Sequence, residues 1–527
     1  MGVTELLALN ASLQATNVML EATIKSQAFQ IEKLTAELLL LKNRLFGRSS
    51  EAADLLTVQG QLFAPPETLE IDPAKPAPTL ARTPKTAPDQ PPKQAKRETI
   101  PENLPREIRV LDLPESVKAG LVKIGEDASE RLSYKPGTIF VLRTVRPRYA
   151  DPKNADAGVQ QIAAPPSAIP GGILDESITV EIAVNKFVDN IPLSRSLERL
   201  ARFGVALALS TISENLITVA QLWLKPMLNA LWLLLKQRNC LHVDETVFPT
   251  LPTPGSGIHQ TLKTRLWTYL NAPGPGHFGS DPEPPIILFH YTDTKAGVHV
   301  RDMLRDWHDP NDPGCPRYLH ADAASNYDAL YRQHPHILPV NCWAHSRRKF
   351  YALAKESSSR IFAHDAVEAI DVLFAYEREW APLSSEKRKE LRQTKSTEQL
   401  AKIHAMMTEK FITLGPNCAT AQAINYLLKR WANFTRYTAC GDLNLSNNAA
   451  ERALRKAAIG RKNFLFAGNE RGGEAAAIFY SLFETAKANG INPNEWLLRA
   501  LRELPKRKGS SFQDVKDLLP IKGADRL

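Results

Sequence analysis

Cys240-Leu241-His242-Val243-Asp244-Glu245-Thr246-Val247-Phe248 is the stretch on which the fold turns. Leu241, Val243 and Val247 alternate with polar neighbours, the period of a strand. Aspartate is depleted in strands, so Asp244 inside this one needs a reason. Working outward, Trp267-Thr268-Tyr269-Leu270 and Pro285 to Tyr291 read as two further strands, and the Pro/Gly-rich loop between the first two suggests a meander. His299 to Trp307 reads as a helix and Tyr318-Leu319-His320-Ala321-Asp322 as a fourth strand ending in a second aspartate. Tyr327 to Gln333 is helical, and Ile337-Leu338-Pro339-Val340 is a fifth strand. Three successive strands followed by helix–strand–helix–strand predict an α/β fold on a mixed sheet.

Further on, Ser446, Asn447 and Asn448 are good helix N-cap residues, and Ala450, Ala453 and Leu454 carry the helix onward. Asn447 and Glu451 share one face of it, with Arg452 and Arg455 along an adjacent edge. Between strand five and this helix lies Cys342-Trp343-Ala344-His345-Ser346-Arg347-Arg348-Lys349-Phe350. Cys342 and His345 have ligand-like spacing but no second pair, so no zinc is expected; Arg347, Arg348 and Lys349 suit phosphate contact. Ala363 to Thr413 is helical and charged and reads as an insertion. Gly460-Arg461-Lys462-Asn463, a helix from Gly472, another over Trp496 to Leu504 and a basic tail close the chain.

Upstream, Leu6, Leu13, Leu20, Gln27, Leu34 and Leu41 fall seven apart, and Asn10, Asn17, Ile24, Ile31, Leu38 and Leu45 form the second seam. Leucine on one seam with Ile and Asn on the other is the pattern of a parallel two-stranded coiled coil, hence of self-association. From Glu51 to Pro105 frequent proline among Ala, Thr and Lys predicts a semi-extended linker. Thr138-Ile139-Phe140-Val141-Leu142 reads as a short strand of a small β-rich unit, followed by the basic run Arg143, Arg146, Arg148 and Tyr149. Leu193 to Leu200, a turn at Phe203-Gly204-Val205 and a helix opening at Ser210-Thr211 outline a helix-turn-helix, which any αα-hairpin would also give.

The whole chain has 527 residues, an apolar fraction of 43% and a net charge of +9, enough for several cores and suited to a polyanionic partner. Five scattered cysteines without a C-x-x-C pair argue against a disulfide framework. No basic n-region precedes an apolar run, and the longest apolar stretch, around Leu231 to Leu235, is short and interrupted; the chain is read as cytoplasmic with no membrane partner.

Three carboxylates from a first strand, a fourth strand and a late helix, in a basic chain, suggest one chemistry. Two hard cations, Mg²⁺ or Mn²⁺, prefer oxygen ligands and together activate an attacking oxygen and stabilise a leaving one. Asp244 would bridge them, Asp322 would hold one and Glu451 the other. His320 and Asn448 are candidates for orienting these ligands. Arg452, Arg455, Arg461 and Lys462 would fix a DNA backbone.

Val243-Asp244-Glu245-Thr246, Asp322 with Tyr327 behind it, Cys342 to Arg348, Asn447 through Glu451 to Asn463, and Glu484-Thr485-Ala486-Lys487-Ala488-Asn489-Gly490-Ile491-Asn492-Pro493 resemble the insertion-sequence-66 family of DDE transposases. A zipper ending Leu45-Phe46-Gly47-Arg48-Ser49-Ser50-Glu51 is similar to that family's pattern too. The resemblance implies an RNase H-like core with Asp244, Asp322 and Glu451 as metal triad, in a bacterial, nucleoid-associated enzyme. It would bind the ends of its element and cut and join DNA. It implies these divisions: 1–50 dimerisation, 51–107 linker, 108–175 small module, 176–236 DNA-binding helices, 237–480 catalytic core with a helical insertion at about 360–435, and 481–527 C-terminal segment. Accessory element-encoded proteins are further candidate partners. Relatives carry a cysteine-based zinc module near residues 108–160, whereas this chain has no cysteine before Cys240. The alternatives are a catalytically silent DNA-binding regulator of the same fold, and a nuclease without strand transfer.

Overall fold

The computed structural model describes residues 163–527, with breaks at 253–255, 258–259, 272–282, 310, 357–360, 416–417, 508 and 525–527, and parts of 137–161. All of them lie within Lys135–Leu527. The coiled coil expected at 1–50 and the linker at 51–107 fall outside the described residues. Of the module at 108–175, a short antiparallel pair is described, β1 (Arg148–Ala150) with β2 (Val159–Gln161). The strand expected at 138–142 does not form over its described part. Residues 139–145 belong to no strand, and Phe140, Val141 and Leu142 are exposed. A β-prone run needs a neighbouring strand to satisfy its backbone, and propensity does not supply one.

Three helices follow. Asp175 caps α1 (Glu176–Phe187) by accepting from the Ser177 N–H at 2.9 Å. After α2 (Leu193–Arg202), the chain turns through Gly204, whose φ of 79° suits glycine, into α3 (Leu209–Leu235). A π-turn at Ala220–Leu224 lies just before Pro226, where a missing N–H and a bulky ring would otherwise break the helix. At 27 residues α3 is the one helix among the described residues long and apolar enough to cross a bilayer. Its inner face, with Ile212, Ala220, Met227 and Leu231, is nevertheless packed into the protein core.

The sheet is built from β3 (Cys240–Val247), β4 (Arg265–Leu270), β5 (Ile287–Thr292), β6 (Arg317–Ala321) and β7 (Ile337–Asn341), in the order β5-β4-β3-β6-β7. The first three strands are antiparallel neighbours, while β6 and β7 run parallel to β3. A mixed α/β sheet of five strands was the expectation, and it is what forms. Helices α4 (Gly297–Leu304) and α5 (Asp328–Gln333) make the two connections on the parallel side. Pro339 is tolerated in β7 because that strand is an edge.

Five helices follow α6 (Trp343–Glu356): α7 (Ile361–Trp380), α8 (Ser385–Leu391), α9 (Thr397–Ile412), α10 (Ala419–Leu428) and α11 (Trp431–Thr435). Trp343, Phe350, Ile370, Leu400, Met407, Leu427 and Phe434 give them and α6 an apolar core of their own. A buried ion pair ties this group together. Arg392, in the π-turn between α8 and α9, donates to Glu377 at 2.7 and 2.6 Å and to the carbonyls of Tyr437 and Cys440 at 3.2 and 2.6 Å. The pair thereby fixes the chain that leads into α12 (Asn448–Phe464).

The chain closes with α13 (Glu470–Ala488), α14 (Pro493–Glu503) and the short α15 (Phe512–Val515). Helix α13 seals the other edge of the sheet. Ser481 Oγ accepts the Phe289 N–H at 2.7 Å, and Thr485 Oγ1 accepts that of Ile287 at 3.0 Å, so the free groups of β5 are satisfied by hydroxyls. Gly473 permits the approach, since a Cβ there would meet the Tyr291 ring at 2.4 Å.

Arg392→Leu should destabilise the protein by about 3–5 kcal/mol in urea unfolding, because Glu377 is left charged and dry, and Arg392→Leu with Glu377→Leu should recover much of the loss. A single-variant loss under ~1 kcal/mol would show that the pair does not hold the helices.

Candidate active site

Strand pairing brings the two aspartates together. In the parallel β3–β6 ladder His242 lies opposite His320, and their rings stack at 4.3 Å with planes 6° apart. Asp244 comes two residues later within β3, and Asp322 two residues later just past the end of β6, the two strands lying about 4.8 Å apart. Glu451 arrives from the first turn of α12. Burial first, then Glu245, Asp322 and Glu451, push the Asp244 carboxyl up to about 7, against a hydrogen bond from the Glu245 N–H at 2.8 Å.

The approach to α12 is sutured to the strand ends. Asn447 Oδ1 accepts from His242 Nδ1 at 2.9 Å, and Asn447 Nδ2 donates to the Val243 carbonyl at 2.8 Å. Asn444 Nδ2 donates to His242 Nε2 at 2.9 Å, and its backbone N–H to His320 Nε2 at 3.3 Å. These partners assign His242 one neutral tautomer, and burial pulls its pKa down to about 4. The Asn447 N–H reaches Cys342 Sγ at 3.1 Å, and the Trp343 N–H reaches the Leu445 carbonyl at 3.1 Å. Asn447 thus begins the helix while its side chain, expected to cap it, is spent on β3. Farther along, Arg461 donates to Thr246 Oγ1 at 2.9 Å and to the Val247 carbonyl.

Beside the carboxylates opens a cavity of about 1010 Å³, lined by Asp244 and Glu451 together with Arg347, Arg348, Arg378, Arg452 and Arg455. Glu451 accepts from Arg348 at 2.9 and 3.2 Å and has His345 Nδ1 at 3.5 Å. Arg347 is held by Asp371 at 2.6 and 2.7 Å. Lys349 instead lies 4.3 Å from the centre of the Tyr426 ring, and Lys462 is exposed near the end of α12. Asn448 lines the cavity, whereas His320 spends its hydrogen bond on the Asn444 backbone.

Sequence reasoning passed over His242 and Asn444 and the use made of the Asn447 side chain, and it weighed His345 only beside Cys342 for zinc, not as a neighbour of Glu451. A signal was there for the first: His242-Val243-Asp244 and His320-Ala321-Asp322 repeat the same His-x-Asp pattern. Glu245, beside Asp244, pairs with Lys295 at 2.5 Å.

Two groups among the described residues bring metal-ligating atoms within 4.8 Å: Cys240 with His242 and His320, and Cys342 with His345 and Glu451. In the first, both His242 nitrogens are committed. In the second, burial pushes the Cys342 thiol up to about 11, against the thiolate a soft metal needs. The triad offers only carboxylate oxygens. Asp244 makes no ion pair among the described residues, and the cation on Glu451 is an Arg348 that is 59% exposed, in a contact of small worth. That donor set fits hard divalent cations.

Three family descriptions match the chain: "Transposase IS66 family" over residues 171–475, "Transposase C of IS166 homeodomain" over 33–109, and "IS66 C-terminal element" over 481–521. Among similar proteins, "Uncharacterized protein y4qI" of Sinorhizobium fredii is 31% identical over 97% of this chain and 92% of its own length. "Uncharacterized protein y4hP" of the same organism is 30% identical over 78% of this chain and 74% of its own. Matched along most of its length, with its carboxylates gathered where a strand pair meets a helix, the chain belongs to the IS66 family of insertion-sequence transposases.

Proposed function

We propose that the protein binds the ends of its element, hydrolyses a phosphodiester to free a 3′-hydroxyl, and uses that hydroxyl to attack target DNA. The observation that carries this reading is the meeting of Asp244, Asp322 and Glu451 beside a cavity rimmed by arginines. The sheet order, three antiparallel strands then two parallel ones, supports an RNase H-like core. Asp244, Asp322 and Glu451 would hold two Mg²⁺ or Mn²⁺ ions. When bound, those ions lower the barrier to phosphoryl transfer at both the attacking and the leaving oxygen.

In the first step water adds to phosphorus and the 3′-oxygen leaves with a proton. In the second the freed 3′-hydroxyl gives up its proton, bonds to a target phosphorus and expels another 3′-oxygen. Arg452 and Arg455, on the cavity side of α12, orient the DNA backbone. Arg348 and Arg347 stand opposite them on α6, while Arg461 serves chiefly to bind α12 to β3. Asn447 is a positioning residue: it sets Glu451 through His242 and Val243.

Residues 1–50 would supply self-association, 51–107 a tether, and 108–175 a further DNA contact. Within 176–236 the exposed Arg195, Arg199 and Arg202 of α2 offer a basic face for end binding. The 237–480 core, its insertion at about 360–435 and the 481–527 segment complete the proposed plan. The partner is DNA, with accessory element-encoded proteins as candidates, in the bacterial cytoplasm at the nucleoid.

Strand cleavage and joining on the element's terminal DNA, with Mg²⁺ or Mn²⁺, test this directly. Asp244→Asn, Asp322→Asn and Glu451→Gln should each fall to about a thousandth of wild-type rate or less while DNA binding is kept. A variant cutting at wild-type rate removes its residue from the triad, and a wild type that binds without cutting leaves the silent regulator. Asn447→Leu should slow cleavage roughly 10–100-fold, as losses of orienting partners do, with folding retained; unchanged cleavage would refute its positioning role. Arg452→Ala with Arg455→Ala should lower the slope of log affinity against log salt by about 0.9 per lost phosphate contact. An unaltered slope would take both off the DNA backbone.

A further inference from the structure

The wall of the cavity away from the carboxylates carries an aromatic ring that packing does not explain. Phe350 and Leu353 of α6 are buried in the helical core, yet Tyr351 between them is 52% exposed and lines the cavity. Ala344, Arg348 and Tyr351 recur at helical spacing, so one stripe of α6 carries both the Glu451 partners and this ring. Tyr351 comes six residues after His345, about 9 Å farther along the helix.

The ring is held in place. The Arg347 guanidinium carbon lies 5.6 Å from its centre, and Arg347 itself donates from Nε and Nη2 to the two carboxylate oxygens of Asp371 of α7. Two further residues of the same α7 stripe, Phe374 and Arg378, line the cavity beyond Asp371. Arg378 is exposed and makes no ion pair among the described residues. An exposed tyrosine backed by an oriented arginine, in a basic cavity, is the composition of a base-stacking platform. A base inside a duplex has both faces covered, so such a ring meets only an unpaired one.

Resting on the transposition reading above, we propose that Tyr351 stacks an unpaired base of the strand whose phosphate lies at the carboxylates. Arg347 and Asp371 set the ring, Phe374 flanks the base, and Arg378 contacts a neighbouring phosphate. The helices inserted after β7 thereby favour DNA that is frayed beside the scissile bond over intact duplex.

The test measures affinity of the full chain, in Ca²⁺ so that the DNA stays whole, for a short duplex that is blunt or carries a three-nucleotide single-stranded 3′ extension. The extension should tighten wild-type binding at least about fivefold, and replacing its bases with abasic residues should abolish the gain. Tyr351→Ala should lose the gain yet keep blunt-duplex affinity, and Tyr351→Phe should retain it. A gain that persists in Tyr351→Ala, or on the abasic extension, overturns the proposal while leaving the transposition reading intact. So does an equal loss on both duplexes. A wild type that binds neither duplex overturns the transposition reading, and this proposal with it.

Discussion

The site depends on a small polar network buried where sheet and helix meet. His242 and His320 stack across the parallel β3–β6 pair; Asn444 and Asn447 bond both ring nitrogens of His242, and the Asn444 N–H bonds His320 at Nε2. Polar groups cost free energy when buried without partners, so His242, bonded at both nitrogens, leaves the approach to α12 few other arrangements. That fixes where α12 begins, and Glu451 stands four residues beyond Asn447. A carboxylate contributed from more than a hundred residues downstream is thereby placed beside two contributed by strands.

The remainder of the fold makes that junction rigid. Helix α13 closes one edge of the sheet with serine and threonine hydroxyls, and Pro339 is confined to the other edge. The helices after β7 have their own apolar core, and Arg392 with Glu377 pins that core to the chain entering α12. A position two steps removed from chemistry thus bears on the carboxylates. Arginine suits this place: its planar fork meets one carboxylate and two carbonyls at once, which a lysine could not do.

Electrostatics divide the basic residues by task. Arg461 and Arg392 are consumed by internal contacts, and Arg347 is tied to Asp371. Arg348, Arg378, Arg452 and Arg455 line the cavity beside Asp244, whose carboxyl is raised first by burial and then by the carboxylates around it. On the proposed function, carboxylate oxygens at the centre would hold hard cations against a phosphodiester, and the guanidinium groups around them would grip its backbone.

Much of this was legible in the chain alone, because strands and helices announce themselves by local period. The five strands, their split into a meander and two crossovers, and the presence of charge inside apolar runs needed nothing beyond Val243, Asp244 and their like. A strand at 138–142 read equally well, yet its described residues, 139–142, join no strand, since a ladder needs a partner that no local pattern provides. Nor could local pattern show that His242 and Asn447 meet, or that Arg461 bonds β3 while Arg452 faces a cavity. The alternation of one segment is set by its own residues. Which side chains from distant segments share a hydrogen bond is set by register and crossing angle, and those exist only once the whole core has packed.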